Sequence, residues 1–284
     1  LYEPVPDWVA PKHIDLAGRS TNTPIVLIDQ QSRIADGQLW AYTDTALALD
    51  SPEALTQLGT LTAGWMPDKG DLRIHRVELL RGGETIDLLA GGARFEVLRR
   101  EQQLESRMIN GALTATMPLV GARIGDVARL TYSITVRDQA MGQNVQIDST
   151  LLAKPIPLRD GQVSIAWPAE LAVSRKAVGG AAVGEPERQG DLLVWRVPLP
   201  IAEQRPTPTD APMRYRLSPA LQVSTYSDWQ HVSRAMAPHY RSDGTITPGG
   251  ALAGEVARIA AQSSDPLTRT ALALQLVQDQ VSYL

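Results

Sequence analysis

The sequence has 284 residues, 43% of them hydrophobic and 20% charged, with a formal net charge of −4 and no cysteine. A chain of this size can bury a core without staples, and its balanced composition excludes a disordered tail. The mild charge and dispersed basic residues leave no electrostatic footprint for nucleic acid, and the lack of cysteine removes thiol nucleophiles and thiolate metal sites.

The start, Leu1-Tyr2-Glu3-Pro4, has neither the basic region nor the apolar stretch of a signal peptide, so any leader is expected to have been removed. No apolar run approaches the ~20 residues needed to span a bilayer. From Pro24 to about Leu217 the dominant pattern is period-two alternation interrupted by Gly, Pro, Asn or Asp, which is the signature of strands. Segments 24–29, 38–49, 72–80, 84–88, 94–100, 103–109 and 112–118 read this way. The alternation slips by one residue between Leu72-Ile74 and Val77-Leu79, which predicts a bulge near His75. Arg81-Gly82-Gly83-Glu84 and Asn110-Gly111 have the residues that two-residue hairpin turns require.

The clearest strand is 130–137, where Leu130, Tyr132, Ile134 and Val136 share one face and Thr131, Ser133, Thr135 and Arg137 the other. Val163, Ile165 and Trp167 share a face of a later strand, as do Leu193, Trp195 and Val197. Gly179 to Gly184 reads as a flexible loop tip; with no following helix and no Lys-Ser/Thr it is not a phosphate loop. Pro198, Pro200, Pro206, Pro208 and Pro212 suit a stiff connection or a sheet edge. So many short strands without helical patterns predict a mainly β fold over residues 1–222. The expected form is an antiparallel β-sandwich, either one large or two consecutive.

Over 223–284 the period changes to about 3.6. Ser227 or Asp228 can cap a helix carrying Trp229, Val232 and Met236 and ending near Pro238, and a second helix carries Leu252, Val256 and Ile259. In the third, Asp265 caps, Pro266 takes the first turn, and Leu267, Ala271, Leu274, Val277 or Gln278, Val281 and Leu284 recur at helical spacing. An apolar stripe still running at Leu284 leads us to expect a chain cut inside a domain.

The helix from Ala271 to Leu284, with its Val277-Gln278-Asp279-Gln280-Val281-Ser282-Tyr283 ending, resembles the helix that opens bacterial transglutaminase-like domains. Ser224 to Ser233 is similar to the segment joining such a domain to a β-rich module of unknown function in front of it. Arg76-Val77-Glu78-Leu79-Leu80, Met108-Ile109-Asn110-Gly111 and Ile124-Gly125-Asp126-Val127 to Tyr132-Ser133 resemble that module. The resemblance implies a periplasmic or secreted bacterial protein whose papain-like Cys-His-Asp triad follows Leu284. Residues 223–284 would then begin the transglutaminase-like domain, the module's partner would be that downstream domain, and its role would be to position a protein or peptide substrate.

The chemistry-bearing residues themselves are sparse. Of the four histidines, His231 and His239 are eight apart rather than i,i+4, and there is no HExxH, so no metal and no cofactor is expected. No Gly-x-Ser-x-Gly is present. Glu84, Asp87, Glu96, Glu101 and Glu105 read as solvated strand faces, and Glu96, Glu101 and Glu105 as paired across strands with Arg94, Arg99, Arg100 and Arg107. Trp167 and Trp195 read as core. Trp40, Tyr42 and Trp65 are the candidate ligand surface, and they motivate an alternative in which the module binds carbohydrate of the cell envelope. A hydrolase using two carboxylates ranks third.

Overall fold

The computed structural model describes residues 1–99 and 111–281. The expected strand 103–109 and the Asn110-Gly111 turn, with Arg100, Glu101, Glu105 and Arg107, lie outside the described residues.

The elements follow in chain order: β1 (Ile25–Ala35), β2 (Gln38–Ala48), α1 (Pro52–Leu58), β3 (Thr60–Trp65), β4 (Leu72–Arg81), β5 (Glu84–Asp87), β6 (Glu96–Arg99) and β7 (Leu113–Pro118). Then come β8 (Val127–Val136), β9 (Gln146–Thr150), β10 (Leu158–Pro168), β11 (Ser174–Val178), β12 (Glu187–Gln189), β13 (Leu192–Leu199) and β14 (Ala220–Ser224). The helices α2 (Trp229–Met236), α3 (Ala251–Gln262) and α4 (Pro266–Gln280) close the chain. The fold is mainly β with a C-terminal helical region.

Among the described residues the largest sheet has eight strands in the order β12-β13-β10-β1-β2-β8-β4-β5, and two three-stranded sheets run β11-β14-β9 and β3-β7-β6. Among the described residues the ladders between these strands are antiparallel except one: β1 and β10 run parallel, with Asp29 opposite Gln162. The expected purely antiparallel arrangement therefore fails at this seam, because alternation reports which face a residue takes and not which way its neighbour runs. Gly161 sits in the seam opposite Ile28, where a Cβ would come 2.7 Å from the Ile28 carbonyl oxygen.

Local chemistry explains the turns. Asp36 and Gly37 (φ 53° and 65°) close β1–β2, and Gly82 and Gly83 (φ 54° and 90°) close β4–β5, both with the paired positive φ that matches strand twist. The ladder between β4 and β8 shifts register between Ile74 and Arg76, which puts the bulge at His75 as expected. Pro198 lies on β13 beyond the stretch paired with β12, on a side that is already an edge.

One core gathers Ile34 with Val163, Ile165, Trp167, Trp195 and Val197 of the large sheet and Ile147, Leu221 and Val223 of the β11-β14-β9 sheet. A second joins Leu72, Ile74, Val77 and Leu130 to Ala63, Ala115 and Met117 of the β3-β7-β6 sheet. The small sheets thus bury apolar side chains against the large one. The opposite face of the large sheet is crossed by residues 1–19, an extended strap. It begins with Tyr2 bridged to Ile74, passes Ala10 hydrogen-bonded to Gln31, and ends with Arg19 on Asp50 at 2.5 and 2.6 Å.

Candidate functional site

Beneath the strap, inward-facing positions of four adjacent strands are polar rather than apolar. Gln162, Asp29, Asp44 and Thr131 stand opposite one another in a row across β10, β1, β2 and β8, and Ser164, Gln31, Tyr42 and Ser133 form the next row. All eight are buried. A polar group out of water needs a partner, and this belt supplies them internally. Arg129 donates from Nε to Asp44 Oδ1 at 2.9 Å and from Nη2 to Oδ2 at 2.6 Å, and the Thr131 hydroxyl donates to Oδ1 at 3.1 Å. Burial works against the Arg129 charge, but the Asp44 carboxylate outweighs it and the guanidinium pKa is raised.

Asp29 is held differently. Its oxygens accept amide hydrogens from Gln162 at 2.9 Å and Gln31 at 2.8 Å. Burial, with the Asp44 charge added, lifts its pKa above the ordinary carboxylate value against the pull of those amides. Tyr42 is likewise pushed up, by burial first and then by Asp44 and Asp29.

His75, displaced by the bulge, stacks 6.1 Å from Tyr42 and places Nδ1 2.9 Å from the Glu3 carbonyl oxygen and Nε2 2.7 Å from Ser133 Oγ. A carbonyl can only accept, so Nδ1 carries the proton and Ser133 donates to Nε2. A serine hydroxyl on an oriented imidazole is the pairing that hydrolases use. Here the serine has no exposure and sits mid-strand, and the contact fastens the strap. Burial lowers the His75 pKa.

At one end of the belt, the next residues in phase, Arg33 and Trp40, are also directly opposed. With Glu3, Pro4, Pro6, Trp8, Ala35, Asp36 and Arg73 they line a pocket of about 370 Å³. The Arg73 guanidinium lies 4.9 Å from the Trp40 ring centre and donates to Glu3 at 2.7 Å. A larger cleft of about 660 Å³ opens where β9, β11 and β14 meet α2. Met141, Val223, Tyr226, Val232 and Met236 give it an apolar floor, and Arg175, Lys176 and Asp228 are among its polar residues.

The three aromatic residues proposed as one ligand surface are separated. Trp40 lines the pocket; Tyr42 is buried in the belt; Trp65 ends β3 in another sheet and packs on the second core. Trp167 and Trp195 are core, as expected. Glu84, Asp87 and Glu96 are exposed. Among the described residues Arg94 donates to the Leu89 and Ala93 carbonyls. His231 lies beside its own cap and His239 Nε2 meets the Ala140 carbonyl at 3.0 Å. Sequence reasoning missed Asp29 and Asp44: Asp44 carried a signal, an acid in phase with Trp40, Tyr42, Ala46 and Ala48, whereas Asp29 shares its phase with the polar Gln31 and Arg33.

A family described as a domain of unknown function with a solved structure, DUF3857, matches residues 35–199, from the end of β1 to the end of β13. The chain belongs to this family. Among solved structures, one from Parabacteroides distasonis named as a putative protease is similar over 91% of this chain and 50% of its own, with 15% identity and a TM-score of 0.65. The chain thus spans about half the length of that protein, and the likeness is one of fold. Yeast LTA4 hydrolase, with bestatin and in its native form, aligns over 75% of this chain at 9% identity with a TM-score of only 0.32. A search of curated proteins finds no match.

Proposed function

We propose that this chain is the non-catalytic N-terminal module of a bacterial, periplasmic or secreted transglutaminase-like protein. In this reading its β portion is a sandwich that positions a protein or peptide substrate for a downstream catalytic domain. The observation that carries the reading is the apolar stripe of the C-terminal helices. Leu252 and Val256 on α3, and Leu267, Leu274 and Val277 on α4 with Val281 just beyond it, are all exposed. Apolar faces of this kind ask for a partner surface.

Two further facts favour it. The fold is shared over nine-tenths of this chain with a Parabacteroides distasonis protein of which it covers 50%. The cleft between α2 and the β9-β14-β11 sheet has an apolar floor and polar groups around it, which suits an extended peptide at the junction. With no cysteine in the chain, thiol catalysis would belong to the continuation.

The test is to express the parent protein and compare amide exchange along α4 in the presence and absence of the residues after Leu284. The reading expects a Cys, His and Asp in the continuation and slowed exchange at Leu274 and Val277. A continuation without cysteine, or exchange in α4 that ignores it, would refute the reading.

A further inference from the structure

Two sets of arginines on the large sheet and its strap contrast in their partners. Arg19, Arg81 and Arg129 each hold a carboxylate through two hydrogen bonds. Arg33 has no ion pair or hydrogen-bond acceptor among the described residues, and its Nε is buried with nothing to donate to; the Nε of Arg73 is in the same condition. The buried Nε is out of a ligand's reach, so it is the terminal nitrogens of Arg33, which also have no acceptor among the described residues, that a molecule in a neighbouring cavity would meet. Both arginines line the 370 Å³ pocket at the end of the belt.

We propose that this pocket binds an acidic saccharide unit, with its carboxylate on Arg33 and its ring against Trp8 and Trp40. The planar guanidinium fork matches a carboxylate in two parallel hydrogen bonds. Indole faces offer a flat apolar surface to a ring. The remaining polar groups of the lining are the carboxylates of Glu3, already paired with Arg73, and Asp36. These repel a second negative charge and accept hydrogen bonds from hydroxyls. One carboxylate, a ring and several hydroxyls describe a uronate better than an aryl acid or a peptide terminus. The inference does not depend on a downstream domain.

The 284-residue chain would be titrated with methyl β-D-glucuronide, with methyl β-D-glucoside and hydrocinnamate in parallel, following the indole N–H signals of Trp8 and Trp40. The glucuronide should shift both signals, and the two comparison compounds should bind at least tenfold more weakly. Arg33→Gln should weaken the glucuronide at least tenfold without changing Tm, since Arg33 has no partner to lose, and Arg33→Lys should retain part of the binding. If Arg33→Gln does not fold, Trp8→Leu on the strap should give the same loss. No shift with the glucuronide, equal binding of the glucoside or of hydrocinnamate, or a folded Arg33→Gln that binds normally would each overturn the proposal.

Discussion

Asp29 and Asp44 face each other across β1 and β2 with no exposure, yet Arg129 grips Asp44 through both oxygens while Asp29 receives two glutamine amides. The asymmetry fixes a pH dependence. Asp29 has a raised pKa, so over the interval between the unfolded value, about 3.9, and its folded value the native state holds the extra proton. Its contribution is complete below that interval and fades as pH rises through the folded pKa. Asp126, held by Arg81 at 2.8 and 2.7 Å, has a lowered pKa and acts oppositely: its contribution is present above the unfolded value and is lost as pH falls. Asp29→Asn keeps the neutral form at every pH. Urea melts from pH 4 to 8 should show this variant at least as stable as the parent at pH 7, with the falling segment gone. A destabilised variant at pH 7 would contradict the assignment.

Removing the cation from Asp44 is a different matter. Arg129→Met leaves a buried carboxylate with Thr131 and Tyr42 but no charge partner, which should cost roughly 3–5 kcal/mol. Adding Asp44→Asn should recover part of that loss, because the amide needs no counter-charge. A double-mutant cycle in urea reads the coupling, and strictly additive losses would mean that the pair does not act as a unit.

The strap should loosen on acidification. His75 has a lowered pKa, so its contribution is complete above the unfolded value, about 6.5, and is lost as pH falls below it. A proton on Nε2 would also displace the hydroxyl hydrogen that Ser133 donates there. Amide exchange at Glu3 and Ile74, whose N–H groups join the strap to β4, should show severalfold more opening at pH 5 than at 7.5 after correction for intrinsic rates. In His75→Gln that pH dependence should vanish. If it persists, another group holds the strap.

Much of this architecture was legible. The His75 bulge, the Gly82-Gly83 turn, and the caps Asp228 and Asp265, which accept from His231 and Thr268, each follow from one or two residues whose local chemistry leaves few alternatives. The helix α1 was not anticipated although Ser51 caps it and Pro52 opens it, because seven residues are too few to establish a helical period against strands on both sides. The first strand runs past 29 to Ala35 because its polar residues Gln31 and Arg33 face the belt and pocket. Polarity marked that stretch as solvent-facing when it faces a polar interior. The candidate site was hidden for the same reason. Only the register brings Asp29 to Asp44 and Arg33 to Trp40, and no local pattern encodes which strands become neighbours.

The helical stripe offers a test that separates folding from docking. Leu267 and Leu274 are 78% and 56% exposed on α4, so Leu267→Gln and Leu274→Gln remove little burial within the 284 residues. Each should change the stability of this chain by no more than about 0.5 kcal/mol. In the longer protein proposed above, the same substitutions would place an amide in an apolar interface, where loss of a buried leucine side chain costs about 2–5 kcal/mol. Melting both lengths of each variant by circular dichroism gives the comparison. Equal effects in the short and long chains would mean that the stripe is solvent-facing in both, and the docking role would have to be assigned to another surface.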